Sequence, residues 1–191
     1  MLAELKKVPN LLTAFRLVAI PAMWPLAFTG HSFWIGVGLV LVAVSDAVDG
    51  VIARRLGQAS EFGSKFDSFA DGLIGPSVVT WLLVLQPEIY TENPELCLTW
   101  ISVTAASLAV GFVKFRRFAN LHLYSAKAAA FAQYPFVFNS FFFETYSPVL
   151  FYLAVGTGIL ASFETLVLQL TQSEVDEHMG SIVHALLDES R

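Results

Sequence analysis

Charge is what this chain has least of. Asp, Glu, Lys and Arg make up 14% of its 191 residues, against about 25% in soluble domains. Hydrophobic residues make up 55%, and the mean hydropathy is +0.63. That balance argues against a soluble domain and for a membrane chain. Cysteine is nearly absent: Cys97 alone excludes an internal disulfide and a metal–thiolate centre. As a single free thiol it reads as a small buried or interfacial residue. No internal repeat or low-complexity tract is present, and no nucleic-acid partner is expected. Lys6 and Lys7 ahead of an apolar run resemble a signal peptide. Arg16 interrupts that run and further apolar segments follow at once, so a retained first span is expected.

Six hydrophobic stretches run over 9–29, 33–55, 64–86, 96–117, 121–143 and 147–171. Each is about long enough to cross a hydrocarbon core roughly 30 Å thick. Helix is the expected conformation, because backbone polar groups in lipid must be satisfied within the segment. Lys127, Gln133, Pro135 and Asn139 interrupt the fifth stretch. Basic residues are missing from the three loops near 30–32, 86–95 and 144–147. With the N-terminus in the cytoplasm, every Lys and Arg then lies on the cytoplasmic side or in the cytoplasmic half of a helix. The expected fold is therefore an all-α integral membrane bundle of six transmembrane helices over 1–172. From 173 to 191, Val175, Met179, Ile182, Val183, Leu186 and Leu187 recur at helical spacing among acids. This tail reads as a short amphipathic cytosolic C-terminal helix.

Against this background four aspartates stand out: Asp46, Asp49, Asp67 and Asp71. On insertion scales they would cost on the order of 10 kcal/mol together. Asp46 and Asp49 are three apart, and Asp67 and Asp71 four apart, so each pair shares one helix face. Two such helices can converge on a hard divalent cation with an all-oxygen shell. Gly50 and Ala53 remove bulk beside Asp49, and Arg54 adds a planar charged fork suited to phosphate. A pyrophosphate bridged by Mg²⁺ or Mn²⁺ fits these parts best. Paired membrane acids also occur in ion or proton pathways, the competing reading together with a non-catalytic scaffold.

The run from Asp46 to Asp71 reproduces D-x2-D-G-x2-A-R-x8-G-x3-D-x3-D. In this it resembles the CDP-alcohol phosphotransferases, as it does in the N-terminal run PNLLTAFRL. The resemblance implies transfer of a phosphatidyl group from a CDP-alcohol, usually CDP-diacylglycerol, to an acceptor alcohol with release of CMP, a step of phospholipid biosynthesis. It implies that Asp46, Asp49, Asp67 and Asp71 hold the metal, that Asp71 is also the general base, and that Gly50, Ala53, Arg54 and Gly63 bind the CDP moiety. A homodimer, and a prokaryotic inner membrane with both termini and the site cytoplasmic, are expected.

The acceptor is less legible. Glycerol 3-phosphate, an inositol phosphate and serine are the candidates. Gly72 directly after the last motif aspartate counts modestly against glycerol 3-phosphate. Lys127 lies inside a span and needs a partner or a watery cavity, and with Arg116 and Arg117 it is a candidate for the acceptor site. Lys114 reads as an interfacial anchor and His122 as structural. Trp24, Trp34, Trp81 and Trp100 read as an aromatic belt.

Overall fold

Apolar runs of this length leave the backbone little choice but helix. A computed structural model of the chain describes residues 7–58, 60–115 and 123–171, apart from the side chains of Arg54, Glu61 and Phe115. In chain order the helices are α1 (Val8–Phe28), α2 (Ser32–Arg55), α3 (Glu61–Leu85), α4 (Glu88–Glu92), α5 (Pro94–Phe115), α6 (Tyr124–Phe143) and α7 (Pro148–Thr171). No strand occurs among the described residues. Five helices, α1, α2, α3, α5 and α7, are long and apolar enough to cross a membrane. The fifth predicted stretch does form a helix, α6, but polar residues dilute it and it is not among those five. The amphipathic tail expected over 173–191 lies outside the described residues.

The described residues form two compact units, and the first holds those up to Pro87 together with Ser140–Thr145. Within it α1 packs against both α2 and α3. Pro9 sits in the first turn of α1, where a missing N–H leaves nothing unpaired. The polar residues of α1 point inward: Asn10, Thr13 and Arg16 are buried, while Leu11, Phe15 and Val18 are exposed. Such an arrangement suits a helix surrounded by lipid, where polar groups turn toward the bundle interior. Ser45 Oγ donates to the Leu12 carbonyl at 3.2 Å and ties α2 to α1 one turn before Arg16. Farther along, Ser32 Oγ donates to the Phe141 carbonyl at 2.9 Å and Gln86 Nε2 to the Ser140 carbonyl at 2.5 Å. Trp81 has no exposure and meets Trp24 edge-on at 6.1 Å. It is therefore a core residue of this unit, not the interfacial anchor its position in the sequence predicts.

The connection between α2 and α3 is short and closed at both ends. Gly57 has φ +60°, the left-handed conformation that glycine tolerates. Gln58 N donates back to the Ala53 carbonyl at 2.9 Å, completing a Schellman C-cap. Two residues later Ser60 is the N-cap of α3, its hydroxyl accepting from Gly63 N at 3.1 Å. This cap explains why α3 begins at Glu61, three residues before the apolar stretch that marks it in the sequence.

The second unit comprises Glu88–Asn139 and the described residues from Tyr146 onward. Here α5 packs along α7 through small and neutral polar side chains. Thr104 Oγ1 and Ser162 Oγ are 2.9 Å apart, and Ser107 Oγ donates to Gln169 Oε1 at 3.4 Å. At Gly158 a Cβ would stand 2.7 Å from Trp100 Nε1, so only glycine lets the ring lie against that helix. Lys114 Nζ donates to the carbonyls of Gln169 (2.7 Å) and Leu170 (3.3 Å) at the C-terminal end of α7.

Candidate active site

Five charged side chains from three helices of the first unit meet at one point. Arg16 of α1, with a side chain that has no exposure, donates through Nη1 to Asp46 Oδ1 at 2.6 Å and to Asp71 Oδ1 at 2.7 Å. Its Nη2 donates to Asp49 Oδ2 at 2.7 Å and to Asp67 Oδ1. One guanidinium against four carboxylates leaves a formal excess of three negative charges (−4 + 1 = −3). Two carboxylates about 5 Å apart repel by roughly 3 kcal/mol at an effective dielectric near 20. The cluster therefore attracts further positive charge.

Exposure grades the four. The Asp49 side chain is 9% exposed and forms the floor, whereas Asp46, Asp67 and Asp71 are exposed at 48%, 39% and 45% and form a rim. Asp46, Asp49 and Asp67 each offer an oxygen within 4.8 Å of the others. Oxygens on opposite sides of an octahedral Mg²⁺ lie about 4.2 Å apart, so a small inward movement would bring these three to one ion. An all-carboxylate donor set matches a hard cation such as Mg²⁺ or Mn²⁺. Asp71 stands outside that triplet.

Beside the carboxylates, a Cβ at Gly50 would meet nothing within 4 Å, so the space next to Asp49 is open. Ala53 follows one turn later and is partly exposed. Arg54 is in the last turn of α2, but its side chain lies outside the described residues. Gly63 has a packing role: a Cβ there would stand 2.9 Å from Asn10 Oδ1 and 3.3 Å from Ser60 Oγ. It lets the start of α1 approach the start of α3. Arg116, Arg117 and His122 lie outside the described residues. Lys127 is exposed in the first turn of α6, its ammonium 5.6 Å from the centroid of the Tyr124 ring.

Arg16 is the residue that sequence reasoning missed. It enters there as a break in the first apolar run and as one of the cytoplasmic-side cations, without a partner or a role at the site. Yet the rule that flags the aspartates applies equally to an arginine two turns into an apolar helix: it needs a partner.

The sequence profile of the CDP-alcohol phosphatidyltransferases matches residues 6–160. Among curated relatives, the CDP-diacylglycerol–glycerol-3-phosphate 3-phosphatidyltransferase of Wigglesworthia glossinidia brevipalpis is 34% identical over 82 residues, covering 41% of this chain and 44% of that protein. The phosphatidylinositol phosphate synthase of Corynebacterium glutamicum is 29% identical over 120 residues, 61% of this chain and 53% of the relative. A Mycobacterium tuberculosis protein provisionally named a cardiolipin synthase is 43% identical over 67 residues, 35% of this chain and 32% of its own length. The chain thus spans about half the length, or less, of the curated relatives it matches. No solved structure matches it. A profile match across most of the sequence, over the helices that carry the four aspartates, makes this chain a member of the CDP-alcohol phosphatidyltransferase family.

Proposed function

We propose that the chain transfers a phosphatidyl group from CDP-diacylglycerol to an acceptor alcohol and releases CMP. The observation that carries this reading is the convergence of Asp46, Asp49, Asp67 and Asp71 on one point beside the open space at Gly50. Asp46, Asp49 and Asp67 are the carboxylates that would hold Mg²⁺ or Mn²⁺, with Asp71 completing the site. When bound, the ion supplies charge neutralisation at the pyrophosphate and so eases departure of CMP.

Asp71 accepts the proton of the acceptor hydroxyl. The freed oxygen bonds to the phosphorus that bears the diacylglycerol, the bond from that phosphorus to the bridging oxygen breaks, and CMP leaves with that oxygen. Gly50 and Ala53 keep bulk away from the nucleotide, Gly63 borders it, and Arg54 pairs with its phosphate. Arg116, Arg117 and Lys127 are the candidates for holding a phosphorylated acceptor. The acceptor is glycerol 3-phosphate, an inositol phosphate or serine. The name of the Wigglesworthia relative supports the first, and the Gly72 that follows Asp71 weighs against it.

In this reading α6 is a sixth crossing, residues 1–172 form the membrane domain, and 173–191 form a cytosolic tail. The site and both termini face the cytoplasm of a prokaryotic cell, and the protein is a homodimer in the inner membrane. The one-sided distribution of Lys and Arg supports that orientation.

The test is direct. Purified full chain is incubated with CDP-diacylglycerol, Mg²⁺ or Mn²⁺ and each acceptor in turn, and CMP and the lipid product are identified. Metal-dependent CMP formation with one acceptor, abolished by EDTA, is expected. No CMP with any acceptor, together with metal-independent proton flux in liposomes, would establish the ion pathway instead.

A further inference from the structure

We propose that Arg16 is a built-in counter-cation of the carboxylate quartet. Its guanidinium holds the four acids together in the metal-free protein and gives up their oxygens when a divalent ion enters. The proposal rests on the metal-binding reading above and adds to it a competition between the chain's own cation and the incoming one.

The geometry points this way in three respects. First, the oxygens are shared. Arg16 takes Asp46 Oδ1, Asp49 Oδ2 and Asp67 Oδ1, and these three residues are the set able to close around one ion. A guanidinium and a metal cannot both take the same lone pairs. Second, Arg16 carries a positive charge from α1 to both α2 and α3, pairing with Asp46 and Asp49 on one and with Asp67 and Asp71 on the other. Without it the two acidic pairs would lose the guanidinium that all four carboxylates share. Third, Arg16 is not fully satisfied in this seat. All four hydrogen bonds run through Nη1 and Nη2, while Nε is buried with no partner. A buried donor left unmet weakens the seat. A permanent structural arginine would be expected to use its whole fork. Three of the four carboxylates are substantially exposed, so an ion can reach the cluster from the rim while Arg16 holds it from within.

Two consequences follow for the reaction. Arg16 keeps the site assembled before metal arrives, so the ion meets acids already in position. Once displaced, its positive charge remains next to the site and is available to a pyrophosphate. This makes it a positioning residue.

The experiment compares wild type, Arg16→Gln and Arg16→Lys as full-length protein in detergent or nanodiscs, with no turnover required. Thermal melting is followed in EDTA and in saturating Mn²⁺, and Mn²⁺ affinity is read from the electron paramagnetic resonance signal of free ion. In EDTA, Arg16→Gln should melt about 10 °C below wild type. Saturating Mn²⁺ should recover most of that gap. Mn²⁺ should bind Arg16→Gln about 10-fold tighter than wild type, because its competitor is gone. Arg16→Lys, which keeps the charge but loses the fork, should fall between the two and covers the case in which the glutamine variant fails to fold. An equal melting deficit with and without Mn²⁺, or weaker Mn²⁺ binding in both variants, would overturn the proposal and make Arg16 a plain structural member. If wild type itself binds no Mn²⁺ or Mg²⁺, the metal reading fails, an outcome separate from either of these.

Discussion

In the first unit Arg16 carries a full charge into a helix interior and four carboxylates close around it. In the second, side chains that α5 and α7 pair with each other, Thr104 with Ser162 and Ser107 with Gln169, are neutral, and the ammonium of Lys114 meets backbone carbonyls. Both units bury polarity inside apolar helices, but they do so at different stakes. Removing one partner of a buried ion pair strands the other, at about 3–5 kcal/mol. A neutral hydrogen bond between membrane helices is worth about 0.6–2 kcal/mol. The first unit should therefore respond to changes of charge and the second to changes of shape.

The largest effect should come from the acids. Asp71→Asn and Asp67→Asn keep size but remove charge, and each should lower CMP formation by about 10²–10⁴-fold. Unchanged CMP release in either variant would mean that the ionic core of the first unit is not the catalytic one. Next comes Gly158→Ala in the second unit, where the new Cβ meets a rigid indole. It should cost about 1–3 kcal/mol, or roughly 3–9 °C in melting temperature, with Mn²⁺ affinity unchanged. Mn²⁺ binding that shifts along with stability would erase the contrast between the units. Ser60→Ala removes the N-cap of α3 and should cost about 1 kcal/mol, while Ser60→Asp should retain the stability of wild type. Smallest is Lys114→Met, which removes the donor to the Gln169 and Leu170 carbonyls: about 0.6 kcal/mol is expected, as for other hydrogen bonds between membrane helices, and a larger loss would mean that charge matters in the second unit too.

Much of the first unit can be read from the chain because its chemistry is local. Asp46 and Asp49, or Asp67 and Asp71, declare a shared face by spacing alone. Arg16 could not be assigned that way: its partners lie 30, 33, 51 and 55 residues along the chain, and only tertiary packing brings them together. At Gly63 the motif suggests a ligand, and the structure adds a packing reason for glycine that spacing does not show, since a Cβ there would meet Asn10, from a helix much earlier in the sequence. Trp81 looks like a belt residue by position along its span, but burial against α1 depends on which way the helix face turns. The early start of α3 was visible in principle, since Ser60 precedes the helix as an N-cap should. The apolar pattern, which begins later, outweighs it.

The short clip between α2 and α3 explains a number that the motif leaves bare. The eight unspecified positions between Arg54 and Gly63 are the last residue of α2, the connection over 56–60, and the first two residues of α3. They are unspecified in identity but not in count. A Schellman turn at one end and a serine cap at the other make this stretch a spacer of fixed length. One residue more or less would leave each aspartate pair intact on its own helix. Placed within the helical ends of the stretch, that change would also turn the Asp67–Asp71 face of α3 by about 100° relative to α2, because a helix advances 3.6 residues per turn. The stretch that carries no chemistry thus works as a gauge block, setting the distance and phase at which two halves of one site meet.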